Sequence, residues 1–301
     1  MTTQQKIAIS GASGLVGTDL KSLLESRGHS VIPMTRRKSG GADVIVWDPS
    51  KGLADPSQLE GIDTVIHLAG ENIAGARWNA AVKERIMSSR VEGTRSLVQS
   101  LSKVTNRPKT LICASAIGIY GHRGEELLTE SAASGKGYLA DVCRAWEAEA
   151  MAAQSLGMRV VCVRIGVVLS PKGGALAKML MPFKLGLGGI VGNGKQYWSW
   201  IGLNDLVRAI AFCAENPSVS GPVNAVSPEP LTNDAFTRAV GKVLHRPTIF
   251  PLPAFMAKLV LGEMADELLL SSIRVVPSQL QRYGFQFEQP DLVSCLEHEL
   301  K

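Results

Sequence analysis

The chain has 301 residues, of which 45% are hydrophobic and 20% are charged, and its formal net charge is +5. This balance is typical of a globular protein with a sizeable core, and it excludes a collagen-like or disordered chain. The mild positive charge has one dense basic patch, residues 36–38, and therefore gives no support for nucleic-acid binding.

Short apolar runs alternate with helical patterns over the first two thirds of the chain. The runs are apolar almost continuously, which is typical of strands buried on both faces of a parallel sheet. The alternation predicts an α/β fold with a doubly wound parallel (Rossmann) sheet. We predict strands at 6–10, 30–34, 42–47, 64–68, 110–114, 159–164 and 222–225, and helices at 15–27, 79–102, 139–155 and 203–215.

The pattern changes after Gly166. Residues 166–197 are rich in glycine and aromatic residues, and the chain from Pro228 onward is mostly helical with repeated prolines. We therefore predict a Rossmann domain of residues 1–165 plus about 198–226. A smaller, mostly helical C-terminal substrate domain takes about 166–197 plus 227–301.

The five cysteines are scattered, and none forms a C-x-x-C pair. This favours reduced thiols, and the dispersed histidines predict no metal site. No apolar run reaches the roughly 18 residues of a membrane span, and no secretory signal is visible. We expect a cytoplasmic protein with no membrane partner.

A glycine-rich stretch follows the first predicted strand and opens the first predicted helix. Its first glycine permits a tight turn, its second lets the backbone approach a pyrophosphate, and its third lets helix and strand pack closely. The alternative is a strand–helix turn without a ligand. The predicted nucleotide-binding residues here are Gly11, Ala12, Ser13, Gly14, Leu15, Val16 and Gly17.

The end of the second predicted strand carries no acidic residue. An NAD site usually places Asp or Glu there to bind the ribose 2′-hydroxyl, whereas this chain has Thr35, Arg36 and Arg37 followed by Lys38. A guanidinium binds a 2′-phosphate in a bidentate manner. We therefore predict NADP(H) as the cofactor; the alternative is a solvated basic loop.

The chain resembles the extended branch of the short-chain dehydrogenase/reductase superfamily. The resemblance rests on the G-x-x-G-x-x-G spacing, on His67 with Leu68, Ala69 and Gly70, and on Ser115 before Ile119-Tyr120-Gly121. More narrowly, it resembles an atypical NAD-dependent epimerase/dehydratase-like subgroup with a C-terminal domain of unknown function. That likeness includes Leu68–Ile73, PFKLGLGG at 182–189 and GNG at 192–194. It implies NADP(H) binding that includes Leu68, Ala69 and Gly70, but no substrate, because fold does not fix function.

Ordinary members carry a serine and a Tyr-x-x-x-Lys pair on one helix face, where tyrosine is the general acid/base. If Glu147 is aligned with the family's glutamate, Cys143 stands at the lysine position and Leu139 at the tyrosine position. Tyr138 is then one residue out of register. The resemblance therefore leaves Ser115, Tyr138 and Cys143 as candidate catalytic residues, and Leu139 as a cofactor contact.

Each of these residues has a structural alternative. Arg90 stands at the position of a family asparagine, and it binds either cofactor or substrate or else forms a structural ion pair. Cys143 is either catalytic or a buried thiol at a helix–sheet contact. Ser115 either contacts substrate or caps a loop.

Three functions are compatible with these features. The leading interpretation is an NADP(H)-binding oxidoreductase or nucleotide-sugar-epimerase-like protein acting on a small carbonyl or sugar-like substrate. The second is a non-catalytic NADP(H)-binding sensor or assembly protein, and the third, least supported, is an RNA-binding relative. A small-molecule substrate is the expected partner, and the family resemblance makes a homodimer the candidate assembly.

Overall fold

The computed structural model of the protein describes residues 4–36 and 43–300, and it has a central sheet with helices on both faces. The strands are β1 (Lys6–Ser10), β2 (Ser30–Thr35), β3 (Ile45–Asp48), β4 (Gly52–Leu53), β5 (Thr64–His67), β6 (Thr110–Ala116), β7 (Leu127–Leu128), β8 (Arg159–Ile165), β9 (Val167–Leu169), β10 (Tyr197–Trp198), β11 (Trp200–Gly202), β12 (Gly221–Ala225), β13 (Leu231–Thr232) and β14 (Arg274–Val275).

The helices alternate with these strands in the first part of the chain and dominate its end. They are α1 (Leu15–Ser26), α2 (Ala80–Ser102), α3 (Tyr138–Met151), α4 (Gly174–Lys184), α5 (Leu203–Glu215), α6 (Asn233–Leu244), α7 (Ala254–Leu261), α8 (Glu263–Ala265), α9 (Ser278–Arg282) and α10 (Leu292–Glu299). Short 3₁₀ turns cover Pro56–Leu59, Ile117–Tyr120 and Ala152–Leu156, and one π turn covers Asp266–Leu270.

The large sheet has eight strands in the order β12-β8-β6-β5-β1-β2-β3-β4. Every neighbouring pair is parallel except β3 with β4. The strand order reverses at β1, which pairs with β2 on one side and β5 on the other. Such a switch point opens a crevice at the carboxyl ends of the strands, where ligands bind in folds of this type.

Buried side chains cover both faces of this sheet. Ile7 and Ile9 of β1 face a core shared with α1 and α5, whereas Ala8 faces a second core that includes residues of α2 and α3. This alternation within one five-residue strand is the reason for the continuously apolar sequence of β1. The predicted doubly wound fold is confirmed.

Capping side chains and a glycine mark several helix ends. The Asn79 side chain caps α2 by accepting a hydrogen bond from the Val82 amide, and Asp291 caps α10 by accepting from Ser294. Helix α1 ends before Gly28, whose φ of +87° suits only a glycine-like residue.

The last part of the chain forms a third core around Trp198, Trp200 and Phe236. Short two-stranded pairs, β11 with β9, β10 with β13 and β14 with β7, join this part to the rest. The buried Asp205 carboxylate accepts hydrogen bonds from the Glu288 and Gln289 amides, which fastens the C-terminal segment to α5. The predicted division into two domains remains a prediction.

Several predicted boundaries differ from the observed ones. The predicted strand at 42–47 is observed as Ile45–Asp48, and residue 42 lies outside the described residues. The predicted helix at 139–155 ends at Met151 and continues as a 3₁₀ turn. Helix α4 and the two-residue strand β4 are not among the sequence predictions.

Candidate functional site

The glycine loop joins β1 to α1 at the switch point. Gly11 has a φ of +73°, and the Gly14 amide donates to the Gly11 carbonyl at 3.0 Å. A Cβ at Gly17 would lie 2.1 Å from the Gly11 oxygen, so only glycine lets the helix approach this turn. A Cβ at Gly11 would lie 3.0 Å from the Ala69 nitrogen, which ties the loop to the end of β5. Residues 11–17 therefore form the tight cradle that the sequence predicts.

The first turn of α1 presents backbone amides without a side-chain cap. Gly14 is the N-cap residue, no side chain caps it, and the first turn of this helix carries no acidic residue. The amides of such a turn, together with the helix dipole, attract an anion. The cradle thus suits a pyrophosphate, and Ser13, Leu15 and Val16 belong to the same turn and remain predicted cofactor contacts.

Strand β2 is a parallel neighbour of β1, so the end of β2 lies beside the glycine loop. Thr35 closes β2, and Arg36 follows it with an exposed side chain. Arg36 lies within electrostatic range of Asp48, whose pKa is lowered mainly by hydrogen bonds from Ser50 and to a small extent by Arg36. The predicted contact Arg37 and its neighbour Lys38 lie outside the described residues.

The end of β5 is held by a buried histidine. His67 Nδ1 lies 2.6 Å from Ser10 Oγ at the end of β1, and burial lowers the pKa of His67 to about 4. The imidazole is therefore neutral near pH 7 and fixes the edge on which Leu68, Ala69 and Gly70 follow.

Arg90 of α2 lies over this edge. Its Nη2 donates to the Glu71 carbonyl at 3.0 Å, its Nη1 donates to the Ile86 carbonyl at 3.2 Å, and its guanidinium lies 5.2 Å from the Trp146 ring. A Cβ at Gly70 would lie 3.2 Å from the guanidinium carbon. Arg90 thus packs closely against the predicted cofactor-binding edge.

Arg90 lies within electrostatic range of Cys143, at the family's lysine position, and of Tyr138, next to the family's tyrosine position. Burial lowers the pKa of Arg90, while the nearby Cys143, Tyr138 and Glu71 raise it. The shift does not discharge a guanidinium at neutral pH. Arg90 forms no ion pair with a carboxylate in the described part of the chain, so the predicted structural-ion-pair alternative finds no partner there.

Ser115, at the end of β6, belongs to a buried polar network. Its hydroxyl donates to Glu147 Oε1 at 2.7 Å, and Arg164 holds the same carboxylate at 2.8 and 2.9 Å. Arg164 also donates to the hydroxyl of Tyr120. Ser115 is 3% exposed, so this hydroxyl is committed to the protein in the present state.

Tyr138 is the first residue of α3, and its hydroxyl donates to the Lys83 carbonyl at 2.6 Å. Its pKa is raised to about 12, chiefly by burial and against the opposing charge of Arg90. Tyr138 lines an open cavity of about 490 Å³ between α2 and the C-terminal part, together with Trp78, Asn79, Ala80, Lys83, Glu84, Met87 and Glu263.

Cys143 and Leu139 lie on the face of α3 that packs on β6 and the following turn. Cys143 is 3% exposed, and burial raises its pKa to about 11. Leu139 packs against Gly118, where an added Cβ would lie 3.2 Å from the Leu139 Cβ. The structure thus brings Ser115, Cys143, Leu139 and Arg90 to one region, whereas the Tyr138 hydroxyl turns to α2.

Sequence reasoning missed the carboxylate network. In the sequence analysis Glu147 is used only to align the helix with the family pattern. Arg164 and Glu267 carry no motif there, although the Glu267 side chain accepts a hydrogen bond from the Tyr138 amide. The signal available was Arg164 at the end of a predicted strand whose interior is apolar, since a charged residue beside a buried strand needs a partner.

Two further findings concern what the described residues contain. No helix within residues 4–36 and 43–300 is long and apolar enough to cross a bilayer. In the same residues no three His, Cys, Asp or Glu side chains cluster in a way that suits a metal ion.

The glycine cradle at the switch point of a doubly wound sheet defines a Rossmann dinucleotide-binding protein of the short-chain dehydrogenase/reductase type. Family comparison narrows this class. Residues 7–226 match the NAD dependent epimerase/dehydratase family, and residues 252–299 match a domain of unknown function (DUF1731). The chain belongs to the NAD dependent epimerase/dehydratase family.

Relatives share nearly the whole chain. Epimerase family protein Mb2239 of Mycobacterium bovis is 43% identical over 290 residues, 96% of both chains. The crystal structure of human epimerase family protein SDR39U1 (isoform 2) with NADPH has a TM-score of 0.88 at 31% identity, covering 98% of each chain. A nucleoside-diphosphate sugar epimerase from Corynebacterium glutamicum has a TM-score of 0.83 at 35% identity, covering 99% of this chain and 59% of that one.

Proposed function

We propose that this protein binds NADP(H) and reduces a small carbonyl or sugar-like substrate through a modified active site. The glycine cradle suits a pyrophosphate because the positive φ of Gly11 and the close approach of Gly17 form a tight turn, and uncapped amides of α1 lie at that turn. Thr35 and Arg36 at the end of β2 favour a 2′-phosphate over a free 2′-hydroxyl. The human relative whose structure contains NADPH supports the same cofactor.

The observation that carries the proposal is the position of Arg90. Its guanidinium lies against Gly70 and within electrostatic range of Cys143 and Tyr138, without a carboxylate partner among the described side chains. In ordinary members the cation near the nicotinamide is a lysine of the helix equivalent to α3. We assign that task here to Arg90 of α2.

Arg90 fits the stabilisation of a developing oxyanion. When bound, NADPH would supply hydride for the substrate carbonyl, whose oxygen would then carry negative charge. A permanent cation in a partly desolvated position stabilises that charge more strongly than water does. Because the Tyr138 hydroxyl donates to Lys83, the proton that completes the alcohol comes from solvent.

Ser115 has a positioning role in this scheme. Its bond to Glu147, which Arg164 also holds, fixes the end of β6 against α3 and so keeps Cys143 and Leu139 in place. A catalytic contribution of Ser115 requires its hydroxyl to leave Glu147, and one of Tyr138 requires its hydroxyl to leave Lys83. These two residues and Cys143 remain predicted catalytic residues.

The test is a single-turnover assay of NADPH oxidation across aldehydes, ketones and keto-sugars. Arg90→Gln should lower the single-turnover rate constant by about 10²–10³-fold, the usual loss for one oxyanion-stabilising donor. Arg90→Lys, which keeps the charge, should retain more activity. Arg95→Gln is the matched control, since Arg95 lies on the same helix, is half exposed and pairs with Glu149. Wild-type rates for Arg90→Gln would refute the assignment.

One observation favours a second candidate, a non-catalytic NADP(H) sensor. No predicted catalytic side chain is free to react. The Ser115 hydroxyl donates to Glu147, the Tyr138 hydroxyl donates to the Lys83 carbonyl, and Cys143, with a pKa of about 11, is protonated near pH 7. A protein that binds NADPH tightly yet oxidises none of it across the panel would support this candidate and exclude the reductase.

A further inference from the structure

Exposed apolar side chains concentrate in one region of the C-terminal part. Nine of the ten large apolar side chains exposed among the described residues lie in segments 181–187 and 249–260, and Leu127 is the exception. Phe255 and Leu259 of α7 are 71% and 73% exposed, and Leu185 after α4 is 65% exposed. Apolar residues scattered singly are common on protein surfaces, but a concentration of this kind marks an interaction site.

The two segments are neighbours in space. The Phe250 amide donates to the Gly188 carbonyl, and the Leu252 amide donates to the Ile190 carbonyl at 2.8 Å. These bonds join the loop after α4 to the chain that leads into α7. We call the exposed surface of 181–187 and 249–260 the apolar tip.

Basic residues predominate around the apolar tip, and the nearest acidic residues, Asp234, Glu263 and Asp266, border it. Residues 173–195 and 235–262 contain seven lysines and arginines and no aspartate or glutamate. Beside the tip, a shallow cavity of about 570 Å³ is lined by Arg238, Lys242, His245, Arg246, Pro247 and Thr248. Arg238 pairs with Asp234 and Lys258 pairs with Asp266, whereas Lys242 has no ion-pair partner in the described residues. An occupant of this surface must therefore be both apolar and anionic.

We propose that the apolar tip and its basic rim dock the protein on the surface of a bilayer that contains anionic phospholipids. Phe255, Leu259 and Leu185 would enter the boundary between headgroups and acyl chains, while Lys184 and Lys242 meet lipid phosphates. A second copy of the chain fits less well, because a symmetric interface would bring two basic rims together. The proposal revises the sequence-based expectation of no membrane partner, and it requires no spanning helix.

The apolar tip is followed in the chain by a residue that lines the cavity beside Tyr138. Helix α7 ends at Leu261, and Glu263 two residues later pairs with Lys83 and lines the cavity beside Tyr138. Docking by this surface would therefore bring the cavity close to the bilayer.

The test is co-sedimentation of the full chain with vesicles of phosphatidylcholine alone or mixed with phosphatidylglycerol. The chain should pellet with the anionic vesicles only, and added salt should release it, because exposed charges are screened. Phe255→Ser with Leu259→Gln should abolish pelleting. Lys184→Gln with Lys242→Gln should weaken it about 25-fold, since each basic residue near such a surface contributes a factor of about five.

Two controls match these variants. Leu127→Gln changes the exposed apolar residue that lies outside the tip, and Lys51→Gln with Lys103→Gln removes two exposed charges elsewhere. Both should bind vesicles as the wild type does, and all variants should keep the wild-type NADPH-induced rise in melting temperature. No pelleting of the wild type, equal loss in the controls, or a dimer in sedimentation velocity that Phe255→Ser with Leu259→Gln dissolves would overturn the proposal.

Discussion

Substitution of two glycines in the same loop should separate folding from cofactor binding. In Gly17→Ala the new Cβ would lie 2.1 Å from the Gly11 oxygen and 2.8 Å from the Ala12 Cα. Real Cβ contacts stay beyond 3.0 Å, so the backbone must move by about an ångström where α1 meets β1. We expect a loss of about 1–3 kcal/mol of unfolding free energy, the usual cost of overpacking.

Gly14→Ala is the matched variant. Gly14 has a φ of −80°, which alanine adopts without strain, and its Cβ would lie 3.2 Å from the Gly11 oxygen. A shift of a few tenths of an ångström accommodates it, so the free protein should lose less than about 1 kcal/mol. The methyl group would instead occupy the space through which a pyrophosphate approaches the amides of α1.

The assay is thermal unfolding with and without NADPH. A ligand at one hundred times its Kd stabilises the folded state by about 2.7 kcal/mol. In chains somewhat smaller than this one, each kcal/mol raises the melting temperature by roughly 2–4 °C. Wild type should show that rise. Gly14→Ala should melt near wild type without NADPH and show almost no rise, whereas Gly17→Ala should melt lower from the start. A normal NADPH response in Gly14→Ala would refute the assignment of the loop as a pyrophosphate cradle.

Two further predictions concern buried titratable groups. His67 has a pKa of about 4 in the folded protein and about 6.5 when unfolded, so the unfolded state binds more protons between these values. Stability should fall by about 3 kcal/mol as the pH drops from 6.5 to 4, and urea unfolding of His67→Asn should show a shallower decline. Cys143, buried with a pKa of about 11, should resist alkylation at pH 8 until the chain is unfolded; rapid labelling of the native protein would contradict that burial.

The sequence predicts β1 and α5 with the bounds that the structure has. Both have strong local signals: the run KIAIS ends at Gly11, and α5 lies between Gly202 and Asn216-Pro217. The glycine loop was predictable for the same reason, because its function depends on the type and spacing of neighbouring residues.

Elements that depend on pairing or packing with another element, and not on a local sequence pattern, were not predictable. Strand β4 has two residues and exists through its pairing with β3, and β9 exists through its pairing with β11. Helix α4 begins at Gly174 directly after Gly173 and contains Pro182, so its local sequence argues against a helix. Tertiary packing outweighs local preference at these places.

The candidate site divides in the same way. Motifs identified Gly70, Ser115 and Cys143, but the approach of Arg90 to Gly70 and Cys143 depends on how α2 crosses the sheet edge. Likewise, Glu147 and Arg164 are 17 residues apart and meet because α3 packs on β8. Such contacts between elements carry no pattern that a single sequence displays.

The most direct test of the central claim is the ratio of the Kd values for NADPH and NADH, measured by titration calorimetry on wild type and Arg36→Ala. A charge-assisted hydrogen bond to the 2′-phosphate is worth about 1.5–3 kcal/mol, or roughly 10–100-fold. Wild type should prefer NADPH by that factor, and Arg36→Ala should lose most of the preference while keeping its affinity for NADH. Equal affinities of the wild type for the two cofactors would contradict the account.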